Sequence, residues 1–123
     1  MVSILIADDS AEWRNRTRKI LSTRSEWEII AEACDGQEAV QFAADLRPDI
    51  VLLDIGMPVL NGIEAAVIIR QACPESRIIF VTMHNDEDIT SAALEIGAVG
   101  YVLKTEAQSE LALVIEAALQ RQP

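Results

Sequence analysis

The chain has 123 residues, half of them hydrophobic, with a net charge of −10 and a mean hydropathy of +0.20. That length and apolar content suit one domain with a real core and exclude a disordered chain. The acidic balance argues against nonspecific nucleic-acid binding by this piece. No apolar stretch approaches the about 18 residues of a membrane span. No charged leader precedes the first apolar run, so a soluble, cytoplasmic protein is expected.

In chain order, Val2-Ser3-Ile4-Leu5-Ile6-Ala7 is a short apolar run that leads into Asp8-Asp9. A helix is predicted over about Ala11 to Thr23, with Trp13, Thr17, Ile20, Leu21 and Arg24 on one stripe. Arg14, Arg16, Arg18, Lys19 and Arg24 crowd this segment, as a solvated face or a docking face for an acidic partner. Glu28 to Cys34 reads as the second strand. Asp35-Gly36-Gln37-Glu38, Asn61-Gly62-Ile63-Glu64 and Thr105-Glu106-Ala107-Gln108 each pair a capping side chain with Glu or Gln three residues on. They predict helices at about 36–45, 62–72 and 106–120. A further helix, about 86–96, would bury Ile89, Ala92, Ala93 and Ile96 and stop at Gly97. Pro48 and Pro74 end the second and third helices.

Three more apolar runs end in chemically useful residues: Ile50-Val51-Leu52-Leu53 in Asp54, Ile78-Ile79-Phe80-Val81 in Thr82, and Tyr101-Val102-Leu103 in Lys104. Unbroken β-branched runs alternating with helices are the pattern of a parallel sheet covered on both faces. The fold expected is α/β, a doubly wound (βα)5 unit with strand order 2-1-3-4-5. Ligands bind beyond the carboxyl ends of such strands. Asp8, Asp9, Asp54, Thr82 and Lys104 should therefore gather at one edge. Cys34 and Cys73 have neither CxxC nor metal-ligand spacing and read as reduced, half-buried thiols. Trp13 and Trp27 read as packing residues, and Leu94, Leu113 and Ala117 fall off the buried stripes.

Two like charges ~4 Å apart repel by ~4 kcal/mol at an effective dielectric of about 20. Three carboxylates together therefore need a proton or a cation. An oxygen-only donor set selects a hard ion, Mg2+ or Mn2+. A carboxylate beside that ion can attack a phosphoryl group, with Lys104 and Thr82 offsetting charge on its oxygens.

Asp8-Asp9, Leu53-Asp54-Ile55-Gly56-Met57-Pro58 with Asn61-Gly62, Val81-Thr82-Met83-His84, and Gly97-Ala98-Val99-Gly100-Tyr101-Val102-Leu103-Lys104-Thr105 follow one another in order along the chain. Together they resemble the response-regulator receiver domain of two-component signalling over essentially all of residues 1–123. Met83-His84, Leu103-Lys104-Thr105 and Glu110-Leu111 are similar to receivers of the NarL/FixJ subfamily, which precede a LuxR-type helix-turn-helix domain.

The resemblance implies that Asp54 accepts a phosphoryl group from a histidine kinase. Asp9, Asp54 and the Gly56 carbonyl would ligate Mg2+, with Asp8 acting through water. Thr82 and Tyr101 would be the switch pair, and Lys104 would pair with the phosphoryl oxygens. Gly56 and His84, each two residues after a site residue, would modulate the lifetime of the phosphorylated state. Thr105 replaces a frequent cis proline, and a trans bond is expected there because a cis bond would cost ~3 kcal/mol. Asn61 replaces a frequent Asp and caps as well.

The function implied is a phosphorylation-dependent switch, not an enzyme in its own right, controlling transcription through a helix-turn-helix domain outside these residues. DNA contact would belong to that domain. A phosphorylation-dependent homodimer, through the fourth-helix/fifth-strand face, is a further expectation. The alternative is a stand-alone receiver acting by protein contacts. An aspartyl phosphatase of the HAD type would resemble a DxDx[TV] pattern, which Asp54-Ile55-Gly56 lacks. A flavin-binding module would need a phosphate loop after the first strand, where Asp8-Asp9 stands.

Overall fold

The computed structural model describes residues 1–121. Strands and helices alternate five times: β1 (Val2–Ala7), α1 (Ala11–Leu21), β2 (Trp27–Ala33), α2 (Gly36–Leu46), β3 (Ile50–Leu53), α3 (Gly62–Ala72), β4 (Arg77–Thr82), α4 (Glu87–Ile96), β5 (Gly100–Leu103) and α5 (Ala107–Leu119). The strands form one parallel sheet in the order β2-β1-β3-β4-β5, as expected.

Successive residues of a strand point to opposite faces, so an apolar run feeds two cores at once. Leu5, Ala7, Val51, Leu53, Ile78 and Phe80 face one layer, with Ala39, Ala43, Ala65, Ala66 and Ile69 of α2 and α3. Ile4, Ile6, Ile50, Leu52, Ile79 and Val102 face the other, with Ile20, Leu21, Leu111 and Ile115 of α1 and α5. Each fully buried Leu or Ile contributes roughly 1.5–3 kcal/mol. The alanine-rich layer also lets backbones close up where the site forms. A Cβ at Gly62 would lie 2.1 Å from the Asp54 carbonyl oxygen. Only glycine lets α3 start against β3 so closely.

The register carries the edge residues to one end. Ala7 pairs with Leu53, Leu53 with Phe80 and Thr82 with Leu103. The ladder continues one step past the strands, with Asp54 N–H donating to Ala7 O at 2.9 Å and Asp8 N–H to Ala33 O at 3.0 Å.

Several expectations need correction. α1 ends at Leu21 rather than Thr23, because the Ser22 and Thr23 hydroxyls donate to Lys19 O and Ile20 O and close the last turn. Arg24 therefore lies past the helix. β2 starts one residue early, since Trp27 pairs with Val2. The Asn61–Glu64 capping box is complete, and Asp35 caps α2 while Glu38 reaches past it to Cys34 N–H. Thr105 caps nothing: Lys104–Glu106 form a short 3-10 turn, and α5 begins only at Ala107. No cis peptide occurs among the described residues, so the bond before Thr105 is trans. In α4 only Ala93 is fully buried, while Ile89, Ala92 and Ile96 are half-buried. The thiols are free, as expected, but neither is half-buried: Cys34 is exposed and Cys73 buried. Leu94, Leu113 and Ala117 are exposed. Among the described residues, no helix is long and apolar enough to cross a membrane.

Candidate functional site

β1 and β3 deliver Asp8 and Asp54, both buried, while Asp9 is exposed at the rim. Carboxylate oxygens of the three lie within 4.8 Å of one another. Lys104, at the end of β5, is also buried and spans the pair: Nζ is 2.8 Å from Asp8 Oδ2 and 3.2 Å from Asp54 Oδ2. Burial pushes the Asp8 pKa up, and nearby Asp54 adds to the rise. The Lys104 hydrogen bond and the Ser10 N–H, 2.9 Å from Asp8 Oδ1, hold it down in part. One ammonium among three carboxylates leaves a surplus of negative charge. The donor set is all oxygen, so the cluster could hold a hard metal ion.

Thr82 is wholly buried at the end of β4. Its Oγ1 accepts from His84 N–H at 3.3 Å, and the half-buried Tyr101 donates from its hydroxyl to His84 O at 2.7 Å. The two expected switch residues thus meet on one intervening backbone unit. Tyr101 is pushed up in pKa, mainly by burial and then by Asp86 and Asp54, with Thr90 opposing. Its ring lies 6.3 Å from that of Phe80. Gly56 is exposed, and His84 overhangs it: a Cβ there would lie 3.5 Å from His84 Nε2. The two positions expected to modulate the site are therefore neighbours.

The basic residues of α1 and the turn after it are largely neutralised within the chain. Arg14 and Arg18 both pair with Glu32, Arg16 with Glu12, and Arg24 with Glu116. Lys19 is the one cation of that group without an ion pair among the described residues.

Three features escaped the sequence reading. Trp13, half-buried, presents its ring 5.0 Å from Lys104 Nζ and 4.8 Å from the Arg16 guanidinium, so it borders the site. It also lines a groove of about 440 Å3 with Lys19, Met83 and Gln108. Its position five residues after Asp8 is a signal only once the α1 start is known. Val59 adopts φ 68° and is 75 % exposed, in a tight turn closed by Leu60 N–H to Pro58 O at 2.7 Å. A β-branched residue there stores on the order of 1–3 kcal/mol of strain, and no pattern in the sequence marks it. Arg14 reaches the backbone of Asp8, which a surface-helix arginine does not announce.

Residues 4–116 match the family described as response regulator receiver domain. The chain is 42% identical over 104 residues to transcriptional regulatory protein LnrK of Bacillus subtilis (strain 168), covering 85% of this chain and 47% of that protein. It is 36% identical over all 123 residues to transcriptional regulatory protein LiaR of the same organism, 58% of whose length is covered. It thus spans about half the length of these relatives. Among solved structures it is similar to the response regulator domain of Thermotoga maritima CheB, with TM-score 0.93 and 34% identity over 100% of this chain and 99% of that one. A LuxR-family two-component response regulator from Aurantimonas sp. SI85-9A1 is similar at TM-score 0.92 and 36% identity, over 99% of this chain and 88% of that one. With the fold, the acidic edge and these relatives in agreement, the chain belongs to the response-regulator receiver domains of two-component systems, in the NarL/FixJ (LuxR-type) subfamily.

Proposed function

We propose that Asp54 is the phosphoacceptor, that Mg2+ (Mn2+ as a substitute) is its cofactor, and that a sensor histidine kinase is its donor. The observation that carries this is the Lys104 bridge between Asp8 and Asp54 inside a three-carboxylate cluster. Asp9, Asp54 and the Gly56 carbonyl would hold the ion, with Asp8 acting through water. Bound Mg2+ supplies positive charge that offsets the phosphoryl oxygens. An Asp54 carboxylate oxygen attacks phosphorus, the phosphorus–nitrogen bond of the kinase phosphohistidine breaks, and its electron pair stays on the imidazole. The acyl phosphate so formed takes over Lys104, which leaves the two carboxylates for the phosphoryl oxygens. Thr82 turns its hydroxyl toward the same group, which ends its acceptance from His84 N–H.

That loss frees the segment Tyr101 also holds, so α4, β5 and α5 change their surface. Gly56 leaves the phosphoryl group open to water and His84 overhangs it, so both set the rate of self-dephosphorylation. The output is control of transcription through a helix-turn-helix domain beyond these residues, supported by relatives named as transcriptional regulators. Phosphorylated copies would self-associate through the α4/β5 face, where Leu94 is exposed. The receiver works in the cytoplasm and contacts protein, not DNA, directly.

Mass spectrometry with a small phosphodonor tests the assignment. One adduct at Asp54, formed only with Mg2+ and absent from Asp54→Asn, is expected. A Mg2+-dependent adduct that persists in Asp54→Asn overturns it.

A further inference from the structure

Asp8 is tied at every polar atom. Its N–H donates to Ala33 O, its Oδ1 accepts from Ser10 N–H, and its Oδ2 accepts from Lys104. Its carbonyl oxygen accepts from Arg14 Nη1 at 2.6 Å, while Arg14 Nε donates to Glu32 Oε1 at 3.2 Å. Glu32 stands on β2 opposite Ile6 of β1, and its other oxygen is held by Arg18. The guanidinium is thus clamped between the acidic loop and the neighbouring strand. Its side chain is only 19 % exposed.

Asp9 stands in contrast. It is exposed, and its carboxylate makes no hydrogen bond or ion pair among the described residues. What orients it is the backbone alone. The carbonyl that Arg14 grips belongs to the Asp8–Asp9 peptide, and that unit is planar. Holding the oxygen, together with the Asp8 N–H bond to Ala33 O, restrains that plane and so the position of Asp9 Cα, the point from which the side chain projects.

We propose that Arg14 is a positioning residue for the metal site: it aims Asp9 by holding the Asp8–Asp9 peptide, with Glu32 as its anchor. This rests on the reading of Asp9 as a metal ligand. Two effects of opposite sign compete here. A cation beside the site repels Mg2+, but Glu32, shared with Arg18, lies against Arg14 and offsets part of its charge. Outer partners that orient ligands are worth about 10–100-fold in metal affinity. Orientation therefore wins, at the low end of that range, because Arg14 acts through a peptide rather than on the carboxylate itself.

Arg14→Lys separates charge from geometry, since an ammonium keeps the charge but offers its donors from one atom, in place of the planar fork whose Nη1 and Nε reach Asp8 O and Glu32 Oε1 separately. Calorimetric Mg2+ titration of the metal-free protein is expected to show about tenfold weaker binding in Arg14→Lys and Arg14→Gln. A smaller loss is expected in Glu32→Gln. Phosphodonor labelling of Asp54 should slow at low Mg2+ and recover at saturating Mg2+, a split that general destabilisation would not produce. Unchanged affinity in Arg14→Lys, or tighter binding in Arg14→Gln, overturns the proposal. If Arg14→Gln fails to fold, Arg14→Lys and Glu32→Gln decide it. Asp9→Asn is the control. Loss of binding there with none in Arg14→Lys refutes only the role of Arg14, whereas wild-type binding by Asp9→Asn removes the metal reading itself.

Discussion

Asp8, Asp54 and Lys104 stand at the ends of strands and are held from several directions, through the extended ladder and through one another. Thr82, His84 and Tyr101, from β4, the loop after it and β5, are joined by two hydrogen bonds that both fall on the backbone of His84. The floor of the site is preformed and electrostatically tense; the rim is held lightly. The difference assigns the work. Binding and attack need fixed groups, whereas a switch needs contacts whose loss costs about as much as one new hydrogen bond supplies, roughly 1 kcal/mol.

If the floor is a charge balance rather than mere packing, removing its one cation should have the largest effect. Lys104→Met leaves Asp8 and Asp54 buried without a cationic partner, and breaking such a pair costs ~3 kcal/mol or more. Urea unfolding in EDTA should show that loss. Mg2+ should restore more stability to the variant than it adds to the wild type, because the ion replaces the missing charge. Equal Mg2+ gains in both would mean that Lys104 and the ion do not share a role.

A smaller effect distinguishes the two floor carboxylates from the exposed one. The Asp8 pKa is raised, so the folded chain binds this proton more readily than the unfolded chain. Ionised Asp8 therefore costs stability at neutral pH, and that cost fades as acid protonates it in the native protein. Asp8→Asn should raise the melting temperature in EDTA at pH 7, where a domain of this size shifts roughly 3–6 °C per kcal/mol. Asp9→Asn, at the exposed rim, should gain little in EDTA yet lose the stabilisation that Mg2+ brings. An equal gain from Asp9→Asn would show that repulsion, not burial, sets the tension.

What is legible in the sequence divides along a different line, between features encoded within one element and features that join two. Apolar runs ending in Asp8, Asp54, Thr82 and Lys104 were visible because burial on both faces leaves a run nothing else to be, and parallel topology aligns the ends. Helix starts were visible at Asp35 and Asn61, where the cap is a local bond. Thr105 misleads, because its capping pattern is local while Lys104–Glu106 form a 3-10 turn before the helix begins. From helical spacing alone Trp13 reads as packing and Arg14 as surface. Their site contacts depend on how α1 lies across the end of β1, and helical spacing within α1 does not encode that. The pairing of Glu32 with two arginines likewise joins residues from separate elements, so charge counting overestimated the free basic face.

The smallest effect belongs to the rim, and it bears most directly on the contrast. Tyr101→Phe keeps the ring beside Phe80 but removes the hydroxyl that donates to His84 O. A neutral hydrogen bond of this kind contributes about 1 kcal/mol. The floor makes no use of that hydroxyl, so the loss should stay local. The His84 amide, tethered to Thr82, should then exchange about fivefold faster, the factor that 1 kcal/mol corresponds to, while the amides of Ile6 and Leu52 keep their protection. Hydrogen exchange read residue by residue by NMR measures both at once. If Ile6 and Leu52 accelerate as much as His84, the rim and floor open together, and the site is one cooperative unit rather than a fixed floor with a loosely held edge.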